Sequence, residues 1–200
     1  MKTLVLIAHP SMGISRVNAA WARAFAACPD VTVRDLAAEY PEMDIDVIAE
    51  QQLLLDHDRI VFQFPLYWYS SPAILKQWQD LVLLPGFAYA GAHRLAGKEM
   101  MVITSIGATE EDYRAGGHNR FSVDELLRPF EQTASYCHCT YRTPWCLYRS
   151  IAIDDAEILA GIPAMLNHVL EPDIDPERDH EAFTQESLGK MMARLSEAVG

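Results

Sequence analysis

The sequence predicts an α/β protein built on a doubly wound, five-stranded parallel sheet with helices on both faces. Short apolar runs without polar alternation recur along the chain, which is the pattern of strands buried on both faces. Segments of helical pattern lie between these runs, and strands that alternate with helices form parallel sheets. The 200 residues, 50% of them hydrophobic, suffice for one domain with a sizeable core.

Five segments have the composition of buried strands. The first is a run of Leu, Val and Ile, and the third is apolar and stops before Pro65. The predicted strands are Thr3–Ala8, Val31–Arg34, Arg59–Phe64, Lys98–Thr104 and a fifth within Ser135–Tyr141. Tyr148–Ile153 offers a further strand.

Capping residues and prolines mark the predicted helices. Ser15 is suited to cap the first helix, Pro72 opens another without losing a hydrogen bond, and Ser122 with Glu125 has capping-box spacing. Pro129 is expected to kink or shorten the helix that Ser122 begins. The predicted helices span Ser15–Ala27, Val47–Leu55, Pro72–Leu81, Val123–Ala134 and Asp155–Leu170.

The composition changes after residue 170. Glu171–Glu181 contains two prolines and many charges, which is typical of a solvated linker, and Ala182–Ala198 has the pattern of a terminal helix. We therefore expect a core domain over residues 1–170, followed by a linker and helix over residues 171–200.

The charge of the chain excludes one class of partner. With 28 acidic against 16 basic residues the formal net charge is -12, so nucleic acid is an unsuitable ligand. The apolar stretch Leu4–Ala8 is too short for a secretory leader, and no stretch approaches the ~20 apolar residues of a membrane span. We expect a soluble, cytoplasmic protein.

Three cysteines and a histidine lie close together, at Cys137, His138, Cys139 and Cys146. A zinc site usually has two separated ligand pairs, whereas these residues occupy one aromatic-rich stretch. Reduced, buried thiols are the simpler interpretation, and no metal is predicted.

The loop after the first strand, His9–Asn18, suits a phosphate. It precedes a helix, whose N-terminal N–H groups attract anions, and Ser15, Arg16 and Asn18 can add side-chain contacts. It contains neither GxGxxG nor GxxxxGK[ST], so a dinucleotide-type Rossmann loop and a P-loop are not supported. An ordinary helix cap explains the same residues equally well.

Two further loops follow predicted strands. Phe64–Pro72 carries Tyr67, Trp68 and Tyr69, which suit a flat ligand, partial core packing or a dimer interface. Thr104–Asn119 contains three glycines, which permit close backbone approach to a ligand, together with a tyrosine and a histidine suited to proton transfer. Since no GxSxG elbow is present, a phosphate end beside an aromatic end favours a flavin mononucleotide site over a hydrolase site.

Three motifs, in chain order, resemble a known family. They are HPxxxxSRxN, FPxYWYSxPxxLKxWxD and DELLRPFEQTA, with the glycine-containing loop before the last. Their order resembles the NAD(P)H:quinone oxidoreductase family of flavodoxin-like proteins, and is most similar to the bacterial ancillary proteins of glutathione-regulated potassium-efflux systems. The resemblance covers roughly residues 3 to 170, and Pro65–Asp80 is its most specific part.

The resemblance implies a flavodoxin-like fold, a flavin and a set of site residues. The flavin would be FMN, with FAD as the runner-up, reduced by NAD(P)H and reoxidised by a quinone in a two-electron step at a homodimer interface. Phosphate and ribityl contacts would come from His9, Ser15, Arg16 and Asn18, and ring contacts from Pro65, Leu66, Tyr67, Trp68 and Tyr69. The family's Thr-Thr-Gly-Gly stretch falls on Ser105, Ile106, Gly107 and Ala108. Tyr113 and His118 match residues held to assist hydride transfer.

The resemblance leaves more than one function open. Reduction of quinones or similar electrophiles is the first, and an azo- or nitroreductase with the same flavin is a second. A third is a regulatory subunit docked on a membrane potassium-efflux transporter, with secondary oxidoreductase activity, which would place the protein at the inner face of the cell membrane.

Overall fold

Six parallel strands form one sheet in the computed structural model, which describes residues 1–171 and 184–192. The strands are β1 (Thr3–Ile7), β2 (Val31–Asp35), β3 (Arg59–Pro65), β4 (Glu99–Ser105), β5 (Thr140–Tyr141) and β6 (Trp145–Leu147). Their order is β2-β1-β3-β4-β5, with β6 also paired to β4. This confirms the predicted flavodoxin-like fold, whose strand order reverses between β1 and β3.

The fifth position in the sheet is divided between two short strands. Thr140 on β5 pairs with Glu99 at the start of β4, and Trp145 on β6 pairs with Ile103 near its end. Pro144, which has no N–H to donate, lies between β5 and β6. The strand offered for residues 148–153 is wrong, because that segment forms a turn.

The helices lie close to their predicted positions. They are α1 (Val17–Ala26), α2 (Leu36–Glu39), α3 (Val47–Asp56), α4 (Ala73–Val82), α5 (Val123–Tyr136) and α6 (Asp155–Leu170). The capping box is confirmed, since the Ser122 hydroxyl accepts from the Glu125 N–H and the Glu125 carboxylate accepts from the Ser122 N–H. Pro129 does not shorten α5, which continues to Tyr136. The short helix α2 was not predicted.

Both faces of the sheet are buried along β1, β3 and β4, which explains the unbroken apolar runs of these strands. Leu4 and Leu6 of β1 pack on the side of α4 and α5, with Trp78. Val5 and Ile7 point to the opposite side and pack with Trp21 of α1. Because alternate side chains enter different core layers, the sheet fixes the direction of every residue at the strand ends.

Met1–Leu170 form one compact unit and Glu171–Gly200 a second. In the second unit, residues 184–192 are helical, within the predicted terminal helix Ala182–Ala198, whose ends lie outside the described residues. The predicted linker, apart from Glu171, also lies outside them. None of the helices in the described part of the chain has the length and apolar content needed to cross a membrane.

Candidate functional site

A cavity of about 510 Å³ opens where β1, β3 and β4 end. This is the edge at which parallel sheets of this order bind ligands. Its lining residues are His9, Ile14, Ser15, Arg16, Val17, Asn18, Pro65, Leu66, Tyr67, Ser105, Gly107, Ser150 and Ile151. None of these lining residues is Asp or Glu, although the chain has 28 acidic residues, so the cavity suits an anionic ligand.

His9 is the buried polar residue at the start of the first loop. Its Nδ1 accepts a hydrogen bond from the Ser11 N–H at 3.0 Å. Burial lowers the pKa of the imidazole, while the nearby Asp35 carboxylate acts in the opposite direction. A neutral imidazole that accepts at Nδ1 carries its proton on Nε2, so His9 retains one ring donor.

Ser15 and Arg16 line the cavity but also hold the loop to its neighbours. The Ser15 hydroxyl accepts from the Asn18 N–H at 3.2 Å, which caps the first turn of α1 from a position one residue earlier than a usual cap. The Arg16 guanidinium donates to Asp155 Oδ1 at 2.8 Å and to the Ile153 carbonyl at 2.8 Å. An anion in the cavity would therefore share Arg16 with Asp155.

Asn18 and Ser105, which both line the cavity, are joined by a hydrogen bond. Asn18 Nδ2 donates to Ser105 Oγ at 3.0 Å, and Gln63 Nε2 donates to the Asn18 carbonyl at 2.8 Å. All three residues are buried, with exposures of 2% for Asn18, 6% for Ser105 and 0% for Gln63. The first turn of α1 is thus tied to β3 and to the end of β4.

The second loop forms a tight hairpin that projects from the protein. The backbones of Tyr67 and Ser70 exchange two hydrogen bonds, at 2.9 and 3.0 Å. The central residues, Trp68 and Tyr69, have φ values of 48° and 63°, in the left-handed region that residues other than glycine rarely adopt. Tyr67 lines the cavity, whereas Trp68 is 92% exposed. Core packing of Trp68 is therefore excluded.

The stretch Ser105–Ala108 contributes to the cavity only in part. Ser105 and Gly107 line it, but Ile106 and Ala108 do not. The Ile106 side chain is fully buried in the core, and its N–H donates to the Leu147 carbonyl. The predicted contact between Ile106 and the cofactor stays a prediction, and it would have to come from the backbone, because strand alternation turns the side chain into the core.

Tyr113 and His118 lie outside this cavity. Tyr113 lines a separate cavity of about 360 Å³ that also contains Tyr148. Burial raises the pKa of Tyr113, and the nearby Tyr69 and Asp112 raise it further. His118 is exposed and lines neither cavity. The third loop nevertheless touches the hairpin, since the Tyr69 hydroxyl donates to Asn119 Oδ1 at 3.2 Å.

The glycine at position 117 serves the loop itself. A Cβ there would lie 2.5 Å from the carbonyl oxygens of Glu111 and Asp112. The same Asp112 carbonyl accepts from the Asn119 N–H at 2.8 Å. The close approach that this glycine permits is therefore to neighbouring backbone, whereas the sequence suggested approach to a ligand.

Four lining residues were missed from the sequence: Ile14, Val17, Ser150 and Ile151. Ile14 and Ile151 are more than four-fifths exposed, at 82% and 83%. The one signal that the sequence offers for Ile14 is an isoleucine in a polar loop. Ser150 and Ile151 gave none, because their segment was interpreted as a strand.

The cysteines are free thiols. Burial raises the pKa of Cys137, and burial beside Cys137 raises the pKa of Cys139 to about 12. Burial also raises the pKa of Cys146 to about 12, with a smaller contribution from Asp124. Such thiols remain protonated and are poor nucleophiles.

Comparison with known proteins gives a consistent set of similarities. Residues 1–169 match a family model described as a flavodoxin-like fold. An "uncharacterized NAD(P)H oxidoreductase YdeQ" of Bacillus subtilis is 48% identical over 177 residues, which cover 88% of this chain and 90% of that protein. The "glutathione-regulated potassium-efflux system ancillary protein KefG" of Cronobacter sakazakii is 47% identical over 148 residues, covering 74% and 80%.

Two solved structures agree with these relatives. An NADPH-quinone reductase from P. pentosaceus superposes with a TM-score of 0.80 at 32% identity, covering 86% of this chain and 100% of that one. The general stress protein 14 of Treponema denticola, in complex with FMN, has a TM-score of 0.78 at 43% identity, covering 83% and 96%.

Proposed function

The chain belongs to the family of flavodoxin-like proteins matched over residues 1–169, and on this premise we propose that it catalyses the two-electron reduction of quinones or similar electrophiles. It is an NAD(P)H oxidoreductase with FMN as its cofactor, in agreement with a relative of that name and with an FMN complex among the similar structures. The observation that carries the proposal is the cavity at the strand ends, which combines a helix-start loop with Leu66 and the aromatic Tyr67 and has no acidic lining residue.

The residues present fit FMN. The start of α1 offers N–H groups without intrahelical partners, beside Ser15 and Arg16, for a phosphate. Leu66 and Tyr67 provide the apolar wall for a ring system, and Ser105 and Gly107 face it from the end of β4. We propose these residues, with His9, Asn18 and Pro65, as the cofactor-binding set within one chain.

FMN supplies a ring that can accept a hydride from NAD(P)H and pass two electrons to an acceptor. The chain contributes binding and hydrogen-bond polarity. His9, neutral with its proton on Nε2, offers a donor without adding a charge, and Arg16 provides the positive charge. Leu66 and Tyr67 would shield one side of the bound ring from water.

We propose that Tyr113 and His118 act on the acceptor rather than hold FMN. Both lie on the third loop, outside the cavity but joined to the hairpin through Asn119 and Tyr69. A histidine at this position can supply a proton as the acceptor is reduced. Trp68 and Tyr69, which project from the hairpin, would contact the acceptor or a second copy of the chain.

The first experiment identifies the cofactor. The protein is purified, its absorption spectrum is recorded, and any flavin released by heat is identified by mass spectrometry. We expect one FMN per chain, and FAD would be distinguished by mass. Quinone-dependent oxidation of NADH and NADPH is then measured. A colourless protein that takes up neither FMN nor FAD on titration would reject the proposal.

A regulatory role is the second candidate function, favoured by the 47% identity to a protein named as a potassium-efflux ancillary protein. In that case the chain would bind a membrane transporter, and its reductase activity would be secondary. Co-purification of the chain with a cation antiporter from membranes would support it.

A further inference from the structure

Gln63 is a polar side chain in an apolar part of the sheet. On β3 it pairs with Ile7 of β1 on one side and Ile103 of β4 on the other. It is 0% exposed, and its Oε1 has no hydrogen-bond partner among the described residues. A buried acceptor without a partner is destabilising, so the amide is unfavourable for packing alone.

The hydrogen bonds of Gln63 determine which group donates and which accepts along a short chain that runs from Gln63 through Asn18 to Ser105. Its Nε2 lies 2.8 Å from the backbone carbonyl of Asn18, which can only accept, so the amide nitrogen must face Asn18. The same Nε2 lies 3.5 Å from Asn18 Oδ1, which leaves Asn18 Nδ2 turned toward Ser105. Asn18 Nδ2 then donates to Ser105 Oγ at 3.0 Å.

This direction determines what Ser105 presents. Since Ser105 Oγ accepts from Asn18, its hydroxyl hydrogen is left to be donated elsewhere. Ser105 lines the cavity, and its backbone carbonyl is already occupied by the Leu66 N–H at 2.9 Å. The Ser105 hydroxyl can thus act as a donor toward a group in the cavity.

We infer that Gln63 is a positioning residue, which acts through Asn18 to make Ser105 a hydrogen-bond donor to an acceptor atom of FMN. The inference rests on the proposed function, since it assigns FMN to the cavity. Gln63 itself does not line the cavity. Its effect on the cofactor would therefore pass entirely through Asn18 and, beyond it, Ser105.

A double-mutant cycle on FMN binding tests this inference. The variants are Gln63→Met, which keeps the side-chain length but removes the donor, Ser105→Ala, and the two combined. Loss of one hydrogen bond should weaken FMN binding about tenfold in each single variant. The double variant should also lose about tenfold, because the two residues act through one contact, whereas independent effects would multiply to ~100-fold.

Two further measurements separate positioning from general stability. The apoprotein melting temperature of Gln63→Met should change little, because the variant loses the bond to the Asn18 carbonyl but also removes the buried Oε1 that has no partner among the described residues. Thr104→Val is the matched control: Thr104 is also fully buried, and its hydroxyl has no partner in the described part of the chain, but it belongs to neither the cavity nor the donor chain. Its FMN affinity should equal that of the wild type.

The outcomes distinguish the inference from its premise. If the wild type binds no FMN, the proposed function fails. If the wild type binds FMN but Gln63→Met binds equally well, or the cycle is additive, the positioning role is overturned. The cycle is repeated with Gln63→Asn, whose amide is one carbon too short to reach Asn18, so that a folding defect in one variant does not decide the result.

Discussion

At the residue scale, the protonation of His9 links the cavity to the stability of the fold. Burial lowers the pKa of the folded imidazole below its ordinary value of 6.5. Below pH 6.5 the unfolded chain therefore binds more protons at this position than the folded chain, so the free energy of unfolding falls as the pH falls. The stability that neutral His9 contributes is complete above the pKa of the unfolded state and is lost as the pH falls through the pKa of the folded state.

His9→Asn should reduce this pH dependence in the apoprotein. The Asn Oδ1 can replace Nδ1 as the acceptor for the Ser11 N–H, but the side chain does not titrate. As the pH is lowered from about 7.5 to about 5, across the ordinary histidine pKa, the melting temperature should fall less for the variant than for the wild type. Parallel curves would show that His9 does not titrate differently in the folded state.

A second residue-scale prediction concerns His118. Because it lies outside the cavity, His118→Ala should leave FMN affinity unchanged, and general acid–base assistance is typically worth ~100-fold or more in rate. Stopped-flow measurements of flavin reduction by NADPH and of reoxidation by a quinone keep the half-reactions apart. We expect the loss in reoxidation. If both rates stay within about twofold of wild type, ~0.4 kcal/mol, the residue has no catalytic role.

At the element scale, the Tyr67–Ser70 hairpin stores strain beside the cavity. A two-residue turn with both central φ values positive favours Asn-Gly, yet here the two residues are Trp68 and Tyr69. Non-glycine residues in the left-handed region each cost roughly 1–2 kcal/mol. Such a cost at an exposed turn is consistent with side chains retained for binding.

Replacing the pair by the favoured turn residues should separate stability from function. Trp68→Asn combined with Tyr69→Gly is expected to raise the free energy of unfolding by about 1–2 kcal/mol. The same variant should lose quinone reduction, while FMN affinity changes less because Leu66 and Tyr67 remain. Urea denaturation and steady-state kinetics measure the two effects. A destabilised variant would show that the aromatic pair packs favourably after all.

Much of the architecture could be predicted from the sequence because its signals are local. The buried strands and the Ser122 capping box depend on adjacent residues, and their positions agree with the structure within one or two residues. The division of the fifth strand and the burial of Ile106 depend on partners distant in the chain. The same holds for Gln63, whose bond to Asn18 spans 45 residues and leaves no pattern in the sequence.

At the scale of the whole molecule, apolar side chains remain exposed around the cavity. Trp68 is 92% exposed on the hairpin, and Phe121 is 57% exposed two residues beyond the third loop. Ile14 and Ile151 stand at the cavity itself. Exposed apolar groups gathered at one edge of a molecule favour an interface. We propose that two copies of the chain associate through this edge.

The homodimer should be sensitive to salt. Each chain carries a formal charge of -12, so two copies repel, and raising the ionic strength from about 0.1 M to 1 M shortens the screening length from ~10 Å to ~3 Å. Light scattering at micromolar concentration should give about twice the chain mass of 22.5 kDa, with association tightening as salt is added. Trp68→Ser should shift the protein toward the monomer without unfolding it. Ile48→Ser is the control, since Ile48 is 76% exposed on α3 but lines neither cavity, and it should leave the mass unchanged. A wild-type mass near 22.5 kDa at every salt concentration would reject the dimer.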